Sequence, residues 1–207
     1  GCQIIYNQLL RNGVKDVFLY SGGAVMSLVD TFYKQDHIQY YINSNEHNGC
    51  NAAIGYAKSS NQTGVMITTS GPGLTNCVTS ILDSQNDSSP LVVISGQVSK
   101  KSMGTQAFQE CPAVEITKPI TKWSVEVQDV NDLECILDRA FFIANDKKKG
   151  AVHIDVPKCV LSDITTRPSK KNIFVENPRV EYCIEEIMDI INQSERPVCV
   201  LGKGCIH

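Results

Sequence analysis

No apolar run in this 207-residue chain approaches the ~18 residues that a membrane-spanning helix requires. Positive charge is not in surplus: 19 Lys and Arg against 22 Asp and Glu leave a formal net charge of -3. That balance gives no basic field for nucleic acid and no polybasic patch for a membrane surface. Cys-x-x-Cys pairs are missing, and no histidine stands at zinc spacing from a cysteine, so no metal-ligand set is expected. The nine cysteines are odd in number and scattered, which argues against a disulfide framework. Cys50, Cys77, Cys135, Cys199 and Cys205 lie inside apolar stretches, where a free thiol acts as a small hydrophobe. This usage points to a reducing, cytosol-like compartment. The first residues, Gly1 to Leu10, have no basic stretch or cleavage site, although a chain that opens on Gly1 says nothing of an organelle-targeting segment before it.

What is present is a regular alternation of short β-rich runs and longer helical ones. Helices are expected over Gln3–Leu10, Ala24–Tyr33, Glu46–Ala57, Leu74–Leu82 and Asp132–Ala144. Strands are expected over Asp16–Tyr20, Ile38–Ile42, Gly64–Ser70, Leu91–Ser95, Trp123–Val127 and Ala151–Val156. Gln97 to Pro112 lacks apolar periodicity and reads as one long loop, a type that tends to be functional. Such alternation predicts an α/β fold, a doubly wound parallel sheet with helices on both faces. Residues 1–161 form this domain. Residues 162–178, rich in Thr, Arg, Lys, Asn and Pro, read as a linker. A helix over Val180–Ile191 and a strand over Pro197–Gly202 make 179–207 the start of a second α/β domain.

Ligands of open α/β sheets sit where strands end and helices begin, and three such turns are chemically unusual. Ser21-Gly22-Gly23-Ala24 pairs two glycines, which allow close backbone approach and positive φ, or simply a tight turn. It lacks the Gly-x-Gly-x-x-Gly spacing of a dinucleotide site. In Asn45-Glu46-His47, Asn45 suits a helix cap and Glu46 the positive end of the helix dipole, while His47 points to another face. Thr69-Ser-Gly-Pro-Gly-Leu-Thr-Asn76 offers backbone amides and Asn76 to a polar heterocycle. It has no phosphate-loop lysine, which disfavours nucleoside triphosphates.

Taken together, these segments resemble the thiamine-diphosphate enzymes, most closely the catalytic subunits of acetolactate synthase. The resemblance is carried by Glu46-His-Asn-Gly-Cys-Asn-Ala-Ala-Ile-Gly-Tyr-Ala57 and Thr68-Thr-Ser-Gly-Pro-Gly-Leu-Thr-Asn76. Pro90 to Gln97, Gly104-Thr-Gln-Ala-Phe-Gln-Glu110, Pro112, Thr121-Lys122 and Gly150 to Lys158 follow in order, so it covers essentially the whole chain. It implies a pyrimidine-binding domain in which Glu46 hydrogen-bonds N1′ of the cofactor's aminopyrimidine, a general acid/base acting through the cofactor. The implied reaction decarboxylates pyruvate and transfers the two-carbon unit to a second 2-keto acid. Gly22, Gly23, Gly71, Pro72 and Asn76 would surround the cofactor. Gln109 and Lys122 would serve catalysis, and Ala24 and Phe108 would line the substrate channel.

The same resemblance implies that diphosphate and Mg2+ are bound by a separate C-terminal domain, across a homodimer or tetramer, with a regulatory subunit as a further candidate partner. A chain of these residues alone is then expected to be inactive. Ser21 and Ser99 stand where the family has proline. Lys148-Lys149 replaces the arginine-proline whose arginine holds FAD, and lysine lacks the planar fork of arginine, so an FAD contact at Lys148 is doubtful. Other readings stay open: another 2-keto acid decarboxylase, an oxidase, an acyl-CoA lyase, or a non-catalytic binding module. The product formed from pyruvate separates them.

Overall fold

The computed structural model describes residues 1–165, 174 and 183–202. Contacts divide the chain into two units, Gly1–Asn172 and Ile173–His207. The first unit holds six strands: β1 Asp16–Leu19, β2 Gln39–Ile42, β3 Gly64–Thr68, β4 Leu91–Gln97, β5 Trp123–Glu126 and β6 Ala151–Pro157. All pair in parallel, in the order β2-β1-β3-β4-β6-β5. Its helices are α1 Cys2–Arg11, α2 Met26–Tyr33, α3 Glu46–Ser60, α4 Pro72–Thr75, α5 Val78–Asn86, α6 Ala113–Thr117, α7 Leu133–Asn145 and α8 Lys158–Ser162.

Side chains of a strand alternate between the two faces of a sheet, and here the alternation sorts two cores. Val65 and Ile67 of β3 join Val92 and Ile94 of β4 under α1, α2 and α7, through Ile5, Leu28, Phe32 and Leu137. Met66 and Val93 face the other way, against Cys50, Ala53, Ile54 and Ile81 of α3 and α5. Helices therefore cover both faces, which is why β3, β4 and β6 are buried along their whole lengths. Because α2 and α5 lie on opposite faces, the winding reverses between β1 and β3, and a crevice opens at their carboxyl ends.

Several expectations need correction. The helix expected over Leu74–Leu82 is two, α4 and α5, with Asn76 at the junction. The expected long loop is shorter: β4 continues to Gln97, held in register with Pro157, and Lys100–Ser102 forms a 3-10 turn. The five-residue α6 just beyond the loop is too short to show a periodic pattern. Cys135 and Cys199 are exposed rather than core, and Cys205 lies outside the described residues. Every cysteine among the described residues is a free thiol.

In the second unit, α9 Ile184–Gln193 overlaps the expected helix and runs two residues past its expected end at Ile191, while the expected start at Val180 lies outside the described residues. Most of the segment read as a linker also lies outside them. No strand forms over Pro197–Gly202: among the described residues these have no partner strand, and a single strand cannot satisfy its own backbone.

Candidate functional site

The crevice between β1 and β3 is a cleft of about 640 Å³. Tyr20 to Ala24 after β1, Pro72 and Gly73 after β3, and Gln97 to Ser99 at the end of β4 form its walls, with Glu46 facing in from the start of α3. Glu46 is only 7% exposed. It is placed by its neighbours: Asn45 caps α3, its side chain accepting from the Asn48 amide at 2.8 Å. Asn76 Nδ2 then donates to Glu46 Oε2 at 2.9 Å. Oε1 accepts no hydrogen bond among the described residues and retains solvent contact. One carboxylate oxygen is anchored, and the other is left for a donor entering the cleft. Asn76 does not itself line the cleft; it works from behind Glu46.

The glycines divide their roles. Neither Gly22 nor Gly23 uses the positive φ that their pairing allows. A Cβ on Gly22 would lie 2.4 Å from Thr69 Cβ, so this glycine lets β1 and β3 turn against each other. In the same contact Thr69 Oγ1 accepts from the Ala24 amide at 3.2 Å, fixing Ala24 on the cleft wall. Gly23 meets nothing within 4 Å, leaving open space. A Cβ on Gly73 would crowd Thr68 and Thr69 and come within 3.4 Å of Glu46 Oε1. Gly71, with φ 58 and ψ -116, sits beneath the Gln109 backbone rather than on the cleft, and its Cβ would lie 2.7 Å from Gln109 O. Gly71→Ala is therefore expected to cost about 2 kcal/mol or more in urea unfolding, from both strain and clash. An unchanged midpoint would show that the turn relaxes freely.

Phe108 and Gln109 both line the cleft, Phe108 at 88% exposure and Gln109 in the left-handed region at φ 62. Lys122 does not. It precedes β5, at the amino edge of a parallel sheet, while the cleft is at the carboxyl edge. Its ammonium donates to the carbonyls of Ile143 and Asp146 and so closes the end of α7. Lys148 is exposed in the loop before β6, at that same amino edge. The lysine that does line the cleft is Lys158, immediately after β6. A cation directly following a strand-ending proline was its signal in the sequence.

Sequence reasoning also passed over a buried polar network beside the cleft. Ser95 hydroxyl donates to Asp155 Oδ1. Gln97 Nε2 donates to Asp155 Oδ2 and to Cys111 O, both at 2.9 Å. Gln97 Oε1 in turn accepts from the Val98 amide at 2.9 Å, which locks Gln97 on the wall. His153 Nε2 lies 2.8 Å from Ser95 Oγ, and its Nδ1 lies 2.8 Å from Thr117 Oγ1 and 3.0 Å from Ser124 Oγ. Burial pushes His153 down to about 3 and Asp155 up to about 7, with Ser95 and Gln97 partly offsetting the latter. Their signal was two polar residues two apart in Ala151-Val-His-Ile-Asp-Val156, an otherwise apolar strand.

The model of the thiamine pyrophosphate enzyme N-terminal TPP binding domain matches residues 1–116, and these include Glu46, Asn76 and every glycine of the cleft. The chain belongs to the thiamine pyrophosphate enzyme family. Within that family it is similar to "Acetolactate synthase, chloroplastic" of Arabidopsis thaliana, 38% identical over 215 residues that cover 100% of this chain and 32% of that protein. "Acetolactate synthase 2, chloroplastic" of Brassica napus is also 38% identical, with 100% and 34% covered. "Acetolactate synthase 1, chloroplastic" of Zea mays is 37% identical, with 99% and 33% covered. The chain thus spans about a third of the length of these relatives. The donor set also fits the family's cofactor: an anchored carboxylate with one free oxygen suits a ring N–H, and Gly73 keeps the space beside it clear.

Proposed function

We propose that this chain supplies the pyrimidine-binding part of an acetolactate synthase-type enzyme, in which pyruvate is decarboxylated and its two-carbon unit passes to a second 2-keto acid. The observation that carries the reading is the Glu46 carboxylate, with Oε2 held by Asn76 and Oε1 turned to the cleft. Thiamine diphosphate, when bound, supplies the electron sink for cleaving the bond to the substrate carboxylate. Glu46 holds the pyrimidine and moves a proton at its ring nitrogen through Oε1. Pro72 and Gly73 form the surface against which a flat ring lies, and Gly23 leaves it room. Lys158 supplies positive charge to a 2-keto acid carboxylate, and Phe108 and Gln109 bound the approach.

The proposal includes a domain boundary near 161, and a Mg2+ and diphosphate site formed by a separate domain across a homodimer or larger assembly. Among the described residues no three His, Cys, Asp or Glu side chains are grouped to hold a metal ion. Among them, too, no helix is long and apolar enough to cross a membrane. The odd number and scatter of the cysteines fit a reducing compartment, cytosolic or plastid-like. An FAD contact at Lys148 is not proposed, because lysine lacks the planar fork of the arginine it replaces.

The test is to supply the full-length protein with pyruvate, Mg2+ and thiamine diphosphate, with and without FAD, and to identify the product. Acetolactate is expected. Acetaldehyde would move the protein to a simple decarboxylase, and no product from pyruvate would overturn the reading.

A further inference from the structure

The segment that carries Phe108 and Gln109 has little apolar anchorage and spends left-handed backbone at Gly104 (φ 79), Gln106 (φ 59) and Gln109 (φ 62). Two of these are not glycine, and such positions cost of order 1 kcal/mol each unless something holds them. One side chain bridges the first two, beside the Thr105 amide and hydroxyl that donate to Ser102 O. Glu110 Oε1 accepts from the Gly104 amide, and Glu110 Oε2 accepts from the Ala107 amide at 3.0 Å. The Glu110 amide closes the ring by donating to Ala107 O at 2.9 Å. The amide of Gly104 foremost, then those of Ala107, Gln106 and Thr105, hold the Glu110 carboxyl below the usual carboxylate range. One residue earlier the chain is seated from the other side, where Gly71 lies flat under the Gln109 carbonyl and Cα.

We propose that Glu110 is a positioning residue for the cleft: by gathering the amides of Gly104 and Ala107 it presses the Ala107–Gln109 segment against the Gly71 turn and so fixes Phe108 and Gln109 on the ligand wall. Glu110 belongs to the loop's other side and does not line the cleft itself. Its effect on a substrate passes wholly through the two residues before it. The consequence for a 2-keto acid rests on the function proposed above; the ordering of the loop does not.

Two measurements on the full-length protein and its Glu110→Gln variant test this. Glutamine keeps the length but loses the charge and turns an N–H toward one of the two amides. Amide hydrogen exchange in peptides covering 103–109 is expected to quicken roughly tenfold or more, with β3 and β4 unchanged. The KM for pyruvate is expected to rise roughly tenfold with little change in kcat. Exchange equal to the wild type would overturn the proposal, as would acceleration spread over the whole domain, which would make Glu110 a general stability residue. So would local acceleration with KM unchanged while Phe108→Ala raises it. If the wild type does not use pyruvate at all, the functional reading fails by itself, and the exchange result alone decides the role of Glu110.

Discussion

Replacing Glu46 with glutamine is expected to lower turnover of the full-length enzyme by at least about a hundredfold, because a positioned acid/base contributes on that scale. The variant isolates chemistry from architecture. Glutamine has the same length, and its carbonyl can accept the hydrogen bond that Asn76 now donates to Oε2 at 2.9 Å. Its amide nitrogen then occupies the Oε1 position on the cleft, where it can neither accept from a ring N–H nor exchange a proton. The fold loses only a negative charge in the first turn of α3, worth about 0.3–1 kcal/mol, and keeps the Asn45 cap. Thermal unfolding should therefore shift little while kcat collapses. Turnover close to the wild type would remove Glu46 from the mechanism. A large loss of both stability and activity would make it an architectural residue whose anchoring by Asn76 is its main role.

The sequence was most legible where physics is local. The long helices are written in a 3.6-residue periodicity and the central strands in short, nearly continuous apolar runs, and Asn45-Glu46 is a helix start that can be read from residue type alone. The three turns that form the cleft were legible because parallel strands place all their carboxyl ends together. Register and packing were not. Whether Gly22 faces a ligand or Thr69 depends on how β1 lies beside β3, and no local pattern encodes that. Lys122 was misplaced for a related reason: residues flanking a strand belong to opposite edges of the sheet depending on which end they flank. The Glu110 clasp needs backbone amides brought together by left-handed residues at 104 and 106, which side-chain identity does not announce. Asp155 and His153 were visible as polar breaks in an apolar strand, but their partners come from β4, β5 and α6.

That buried pair makes the stability of the domain respond to pH in a way that single substitutions should expose. The folded Asp155 carboxyl titrates at about 7 against 3.8 for the unfolded chain. Between those values the folded state holds a proton that the unfolded state has released, so Asp155 lowers stability as pH rises. His153 does the reverse, with a folded value of about 3 against 6.5 unfolded. There the unfolded state binds the extra proton, and stability rises with pH until the unfolded ring is neutral. From about pH 4 to 6.5 the two slopes oppose each other, each near 1.4 kcal/mol per pH unit at full effect. In the wild type they cancel. In Asp155→Asn only the histidine remains, and urea-unfolding stability is expected to climb by about 3 kcal/mol relative to wild type between pH 4 and 6.5. In His153→Leu it should fall by a similar amount over the same interval. Each substitution also weakens the network at every pH, by losing hydrogen bonds to Gln97 or to Thr117 and Ser124, but a constant loss leaves the slope untouched. Trp123, the single tryptophan, lies in β5 next to Ser124 and reports on this part of the sheet. Parallel pH profiles for wild type and Asp155→Asn would show that Asp155 titrates in the native state as an ordinary carboxylate, and that its hydrogen bonds from Ser95 and Gln97 outweigh its burial.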